Sequence, residues 1–277
     1  MASNWTHLVR FISEEDGQTH LGQVDSSKYP DVGLSILNGE KVQVKVVEGS
    51  VFDGKLLSPV GMDNVPIIRC LGLNYMDHAK EANMPIPDVP VLFIKPRTAV
   101  NGPHPAKINI PKFVQDGTSD YESELSFVLS KSGRDIPESE ATDYVLGFTC
   151  SNDVSARTQQ FKNSQWSFSK GLDGSCPLGP VLVSPSAIGD AHNLRIKGIH
   201  NGSVVQDSNT REMIFSVAKT IAFLSQGTTL EKGTVIMTGT GPGIGAMRNP
   251  KIVLNDGDDM RVEIEKIGTL VNKVYYE

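Results

Sequence analysis

The chain has 277 residues, enough to bury a substantial core as one large domain or as a small domain beside a larger one. Its 39% hydrophobic and 21% charged residues describe an ordinary globular protein, and a net charge of -6 with scattered Lys and Arg offers no basic footprint for nucleic acid or an anionic membrane. Those exclusions leave chemistry on a small molecule.

The first ten residues carry no cationic segment leading into an apolar run, and Glu14, Glu15 and Asp16 come too early for a transit peptide. A cytoplasmic location is expected, with a mitochondrial one left open. Cys70, Cys150 and Cys176 lie far apart without a C-x-x-C pair, which argues for a reducing compartment and against structural zinc. No apolar run approaches the roughly 20 residues of a membrane helix.

Leu8 to Ile12 and Leu21 to Val24 flank an acidic, Gly-containing loop, and Val42 to Val46 alternates, so residues 1–62 read as a small all-strand N-terminal domain. Pro59 to Asn64 serves as its linker to residues 63–277. From Pro85 to Pro111 dense prolines break the chain into short strands and loops, which excludes a long helical domain there. Farther on, Leu194 to Ile199 turns through Asn201-Gly202 into Val204-Val205, because Asn-Gly supplies the positive φ angles of a type I′ hairpin. One helix is clear, from about Ser216 to Gln226, with Val217, Ile221 and Leu224 on one stripe and Gly227 as its stop. Met260, Val262 and Ile264 open a last hairpin with Leu270 to Tyr276. The fold class is mainly β, of the α+β type.

Asp120-Tyr121-Glu122-Ser123-Glu124-Leu125 places Glu122 and Glu124 on one strand face, about 6 to 7 Å apart at their backbones, with Asp120 on the same face. Acids lining the wet side of a half-buried strand would look the same. A third acid, Asp153, ends the apolar run that begins at Tyr144 and can close an oxygen-only site. Such a set suits Mg2+, with Mn2+ or Ca2+ as substitutes, rather than Zn2+.

Four further groups could carry chemistry. His78 and Glu81, three apart on a predicted helix, form a dyad in which the carboxylate fixes the imidazole tautomer and makes His78 a candidate general base; an exposed helical ion pair is the plain alternative. Arg157 and Gln160 have the same spacing and converge on an anion. As isolated residues, Arg157 and Lys170 would be solvated surface charges, but beside a metal they stabilise a developing enolate or oxyanion. Val235 to Met237 runs into the glycine-rich Thr238 to Gly245, whose amides can cradle an anion, though neither a Walker nor a Rossmann pattern is present. Cys176 reads as a buried structural residue before it reads as a nucleophile paired with His78.

Taken in order, Gly72 to Glu81, Pro90 to Pro96, Asp120 to Leu125, Asn152 to Arg157, Cys176 to Pro180 and Thr238 to Thr240 resemble the fumarylacetoacetate hydrolase family over about Ile67 to Tyr275. The resemblance implies a mixed β-roll catalytic domain, and the N-terminal strands are similar to the short domain of two-part members described as oxaloacetate tautomerases. It implies a metal on Glu122, Glu124 and Asp153, usually Mg2+. It also implies a lid dyad of His78 and Glu81, polar groups toward substrate from Arg157, Gln160, Lys170 and Thr240, and a homodimer. Thr158, Ser169, Gly171 to Gly174 and Gly241-Pro242 depart from the family pattern, where the wall of the pocket is expected.

The expected activity is metal-dependent hydrolysis of a carbon-carbon bond in an acylpyruvate- or fumarylacetoacetate-like 2-oxo acid. Oxaloacetate tautomerisation or decarboxylation shares the enolate and is the nearest rival. A catalytically silent metal- or ligand-binding protein is the rival of another class.

Overall fold

The structure, a computed structural model, describes residues 5–47 and 51–277. Strands dominate because apolar and polar residues alternate between turn residues. β1 (His7–Ser13) pairs antiparallel with β2 (Thr19–Val24), and β3 (Gln43–Val46) with β4 (Val51–Leu57). Between the two hairpins lies α1 (Val32–Leu37), a helix that the all-strand expectation for this region omits. Asp31 caps it, accepting the Leu34 N–H at 3.0 Å and the Thr269 hydroxyl at 2.6 Å. One carboxylate thus fixes a segment too short to display helical periodicity.

Next come β5 (Ile68–Gly72), α2 (Met76–Glu81), β6 (Val91–Lys95), β7 (Val100–Asn101), β8 (Lys107–Ile110), β9 (Ser119–Asp120) and β10 (Ser123–Leu129). They are followed by β11 (Val145–Asn152), β12 (Ser155–Ala156), α3 (Arg157–Gln160), α4 (Ser167–Lys170), β13 (Cys176–Val183) and α5 (Pro185–Ile188). β14 (Arg195–His200) turns into β15 (Ser203–Asn209) through Asn201 and Gly202, both at positive φ (49° and 80°), as the Asn-Gly pair predicts. α6 (Val217–Leu224) is the expected amphipathic helix, capped by Ser216, and is followed by β16 (Val235–Thr240), β17 (Asp259–Ile264) and β18 (Gly268–Tyr276).

Among the described residues these strands make a mixed eleven-stranded sheet in the order β2-β3-β4-β1-β13-β11-β10-β16-β5-β6, with β7 beside β13. A five-stranded sheet, β15-β14-β17-β18-β8, and the short pair β9-β12 complete it. The β16-β5, β13-β7 and β18-β8 pairs are parallel, which makes the architecture mainly β with mixed sheets. β1 joins the larger sheet at His7↔Val183 and Leu8↔Leu182, and Val9, Phe11, Val24 and Val44 share one core with Phe127, Val183 and Leu270. We propose the division at residues 62 and 63 as a change of strand connectivity within a shared core, at the turn Met62–Asn64.

β10 is buried along its whole length. Leu125, Phe127 and Leu129 enter the main core, while Val128 packs into a second one with Cys70, Cys176 and Met237. Covered on both faces, the strand offers its acids no wet side, so Glu124 is buried for a reason other than amphipathicity. No helix among the described residues is long and apolar enough to cross a membrane.

Candidate active site

The antiparallel register of β10 and β11, Ser123↔Asn152 and Glu124↔Ser151, brings the end of one strand beside the start of the other. The Asp153 N–H donates to the Glu122 carbonyl at 2.9 Å, and the Glu122 N–H donates to Asn152 Oδ1 at 3.1 Å. Glu122, Glu124 and Asp153 thereby converge, with one oxygen from each lying within 4.8 Å of the others. Glu124 and Asp153 are fully buried, and Glu122 is nearly so.

Three buried cations surround them. Lys170, at the end of α4, lies 2.7 Å from Asp153 Oδ2, 3.0 Å from Glu122 Oε1 and 2.8 Å from Ser155 Oγ. Arg157 opens α3, and its guanidinium reaches Asp120 and Glu122 at 2.8 and 2.7 Å and Gln160 Oε1 at 2.8 Å. Neither is the solvated surface charge that an isolated Lys or Arg would be. Lys95, at the end of β6, approaches Asp153 Oδ1 at 2.8 Å; its ammonium also donates to the Lys170 carbonyl and, at 3.0 Å, to that of Ser175.

Charge and burial set the protonation of this cluster. Burial pushes the Glu122 carboxyl up, but Lys170 and then Arg157 outweigh it and hold it well below the usual range. Burial, then Asp153, then Glu122 hold Glu124 well above that range, with Lys170 and the Gly239 N–H pulling weakly the other way. Glu124 Oε2 accepts that N–H at 2.7 Å, but Oε1 has no hydrogen-bond partner. An all-oxygen triad with an orphaned, protonation-prone member fits a hard divalent cation, which would satisfy that oxygen and offset the mutual repulsion.

On α2, His78 Nδ1 lies 3.0 Å from Glu81 Oε2, and the His78 ring is buried rather than in an exposed surface pair. Glu81 Oε1 accepts the Gly243 N–H at 2.9 Å. Because a carboxylate only accepts, Nδ1 is the donor to Glu81, which in the neutral imidazole makes Nε2 the acceptor. His78, Glu122, Arg157, Gln160, Lys170 and Thr240 line one cavity of about 320 Å³. The Thr240 hydroxyl donates to the Ser123 carbonyl at 2.9 Å and accepts from Gln206 at 2.8 Å.

The structure bears on three expectations. Asp120 does not join the carboxylate triad; it accepts the Gly245 and Ala246 N–H groups at 2.8 and 2.9 Å and shares the Arg157 guanidinium with Glu122. The glycine-rich loop does cradle anions with its amides, and they are carboxylates of the chain itself, Glu124, Glu81 and Asp120. The departures from the family pattern do not line the main cavity. Thr158 faces a smaller one, Gly171 to Asp173 border a surface hollow, and Gly241-Pro242 and Ser169 border neither.

Lys95 is the residue that sequence reasoning missed. The motif from Pro90 to Pro96 was visible, but its acceptors lie some 60 to 80 positions along the chain. Replacing Lys95 by Met leaves Asp153 Oδ1 without its cation, although Lys170 still pairs with Oδ2, and takes a donor from the carbonyls of Val154, Lys170 and Ser175; urea unfolding should show a loss of about 3–5 kcal/mol, as for one broken partner of a buried pair. A loss below about 1 kcal/mol would rank it with surface pairs. Cys176, by contrast, is fully buried with Sγ 3.5 Å from Met237 Sδ, and burial pushes its thiol up to about 12. Cys176→Ala should leave turnover of the expected 2-oxo acid unchanged; loss of turnover with the fold intact would restore the thiol as a nucleophile.

Comparison with known proteins places these residues in context. The family described as Fumarylacetoacetate (FAA) hydrolase C-terminal matches residues 67–275. A caffeoylpyruvate hydrolase of Neonothopanus nambi is 41% identical over 100% of this chain and 96% of its own length. The mitochondrial oxaloacetate tautomerase fahd2 of Xenopus laevis is 43% identical over 79% of this chain and 68% of its own. Among solved structures, fumarylpyruvate hydrolase from Pseudomonas aeruginosa, in complex with Mn2+ and pyruvate, superposes with a TM-score of 0.68 at 30% identity over 77% of this chain and 91% of that one.

Proposed function

Because this chain belongs to the fumarylacetoacetate hydrolase family, we propose that it hydrolyses the carbon-carbon bond of an acylpyruvate-type 2-oxo acid, releasing pyruvate and a carboxylic acid. One observation carries the choice of hydrolysis. His78 of a buried His-Glu dyad lines the same cavity as Glu122, Arg157 and Lys170, so a candidate base for water and a sink for negative charge share one space.

Glu122, Glu124 and Asp153 would hold the cation, which we take to be Mg2+, with Mn2+ or Ca2+ as substitutes that match the same oxygens. When bound, such an ion supplies Lewis acidity toward the carboxylate and 2-carbonyl oxygens of the substrate. Arg157, with Gln160 and Thr240, positions the substrate carboxylate and carbonyl. His78 Nε2 takes a proton from water, whose oxygen bonds to the distal carbonyl carbon. As the bond from that carbon to the methylene breaks, its electron pair passes to the three-carbon fragment, and Lys170 and Arg157 offset the charge. The His78 imidazolium returns its proton to the methylene, giving pyruvate, and the acyl fragment leaves as the acid.

The similarity to the Xenopus tautomerase favours a second reading, oxaloacetate tautomerisation, in which the enolate forms without attacking water. A product-resolved assay separates them. With Mg2+, acetylpyruvate should yield acetate and pyruvate, and EDTA should stop it. Loss of oxaloacetate enol absorbance without cleavage of any acylpyruvate would overturn hydrolysis in favour of tautomerisation.

The partners we propose are a small 2-oxo acid and a second copy of the chain. Strand β6 is an edge of the large sheet and exposes Val91, Leu92 and Ile94, with Ile86 and Val89 just before it, an apolar edge that association would cover. A monomer by light scattering at micromolar concentration would remove the homodimer. The three free, buried cysteines suit a reducing compartment, and we place the protein in the cytoplasm, with mitochondria as the alternative.

A further inference from the structure

The lining of the cavity divides into a charged set and a largely apolar set. Among the described residues that line it, the cations are Arg157 and Lys170: Lys170 is paired with Glu122 and Asp153, and Arg157 with Asp120 and Glu122, which leaves only its Nη2 without a partner. The remaining wall is mainly apolar, with Phe93, Trp166, Phe161, Met84, Ile244 and Met247, and its other polar groups, Gln160, Asn163 and Thr240, carry no positive charge. A substrate arm that leaves the reacting carbonyl meets no positive charge on its way out.

That wall is built around an indole. Trp166 packs edge-on against Phe93, with ring centroids 5.7 Å apart, and lies over the backbone of residue 72 so closely that a Cβ there would overlap its Cζ3. Gly72 therefore makes room for the ring. Lys170 Nζ sits 5.1 Å above the Phe93 ring centre, so the aromatic wall starts where the charged end stops. At the mouth Phe161 is 72% exposed and Met84 and Met247 about half exposed, an apolar rim left uncovered by the described residues.

We infer that the acyl arm of the substrate is uncharged and planar aromatic, an arylacyl or cinnamoyl-type pyruvate, and that a second carboxylate on that arm is rejected. The inference rests on the hydrolase reading and deepens it. A ring sliding along Trp166 and Phe93 gains apolar burial and favourable edge contacts. A carboxylate on the same path gives up its water without meeting a cation, which costs far more than the area it buries returns.

Cinnamoylpyruvate and fumarylpyruvate test this as a matched pair, since they share the vinyl spacer and differ in phenyl against carboxylate. With the full chain saturated in Mg2+ and acetylpyruvate as the small reference, kcat/KM for the cinnamoyl compound should exceed that for the fumaryl compound on the order of a hundredfold. Gly72→Ala, which displaces the indole, should lower the cinnamoyl-to-acetyl ratio at least about tenfold. Met247→Lys, at an exposed rim position that a folded chain tolerates, should move the cinnamoyl-to-fumaryl ratio about tenfold toward fumaryl. Quenching of Trp166 fluorescence on binding, absent in Trp166→Phe, reads the same preference without turnover.

If acetylpyruvate is cleaved and fumarylpyruvate matches or beats cinnamoylpyruvate, the arm is wrongly assigned while the hydrolase reading survives. If nothing is cleaved, the hydrolase reading falls. The fluorescence titration then decides the arm: quenching by cinnamoylpyruvate and not by fumarylpyruvate supports it, and equal or absent quenching overturns it.

Discussion

Glu124→Gln should stabilise the metal-free protein and abolish its turnover in a single substitution. The Glu124 side chain is fully buried, one oxygen serves the Gly239 N–H, and the other has no partner. Burial and the two neighbouring carboxylates disfavour its charge. Gln keeps the shape and one carbonyl oxygen for Gly239 but removes the repulsion with Glu122 and Asp153. A gain of even about 1 kcal/mol moves the Tm of a chain this size by about 2–4 °C. The pH dependence has a definite sign. A carboxyl raised in the folded state binds more protons there than in the unfolded chain, so it withdraws stability as pH rises from the ordinary carboxylate range up to its raised value. In the variant that slope should flatten.

The opposite effect should appear with the ion. Losing a direct ligand costs at least the roughly 10–100-fold in affinity that outer partners command. Mn2+ titration followed by calorimetry or paramagnetic resonance measures it apart from catalysis, and pyruvate release should fall to background. A Tm that drops while Mn2+ affinity and turnover persist would move the cation elsewhere.

The second large effect concerns His78. His78→Ala should cut hydrolysis by about 10²–10⁴, the usual share of a general base, while oxaloacetate enolisation continues. Glu81→Gln sharpens the test, because Glu81 accepts from both the His78 ring and the Gly243 N–H, at 3.0 and 2.9 Å. An amide has one acceptor oxygen, so one of the two contacts fails and the imidazole loses its fixed tautomer. The variant should lower kcat with little change in KM. Equal loss of hydrolysis and enolisation in His78→Ala would remove water activation from its role.

Much of the site was legible because short spacings encode it. Glu122 and Glu124 follow strand periodicity, and His78 with Glu81 and Arg157 with Gln160 follow the helical step of three. Asp153 was readable as the acid that ends an apolar strand. The second half of the cluster was not, because it depends on contacts distant in sequence. Lys95 is defined by carbonyls near residues 154, 170 and 175, and Asp120 by amides at 245 and 246. α1 escaped because a single cap and its docking to Thr269 replace any repeating pattern. The burial of β10 escaped too, since two polar side chains in an apolar strand look alike whether water or a second layer lies above them.

The loop after β16 has a consequence for how this protein can vary. One stretch of main chain, from Gly239 to Ala246, grips an acid of the ion-binding cluster, the acid that steers the imidazole, and the acid that anchors the guanidinium. Errors in that stretch are shared rather than local, so a shift there would detune the proposed cation binding, water activation and carboxylate recognition together. Selectivity for one arm over another is then free to drift only in walls the loop does not hold, which leaves the Trp166 side of the cavity as the part of this enzyme open to new substrates.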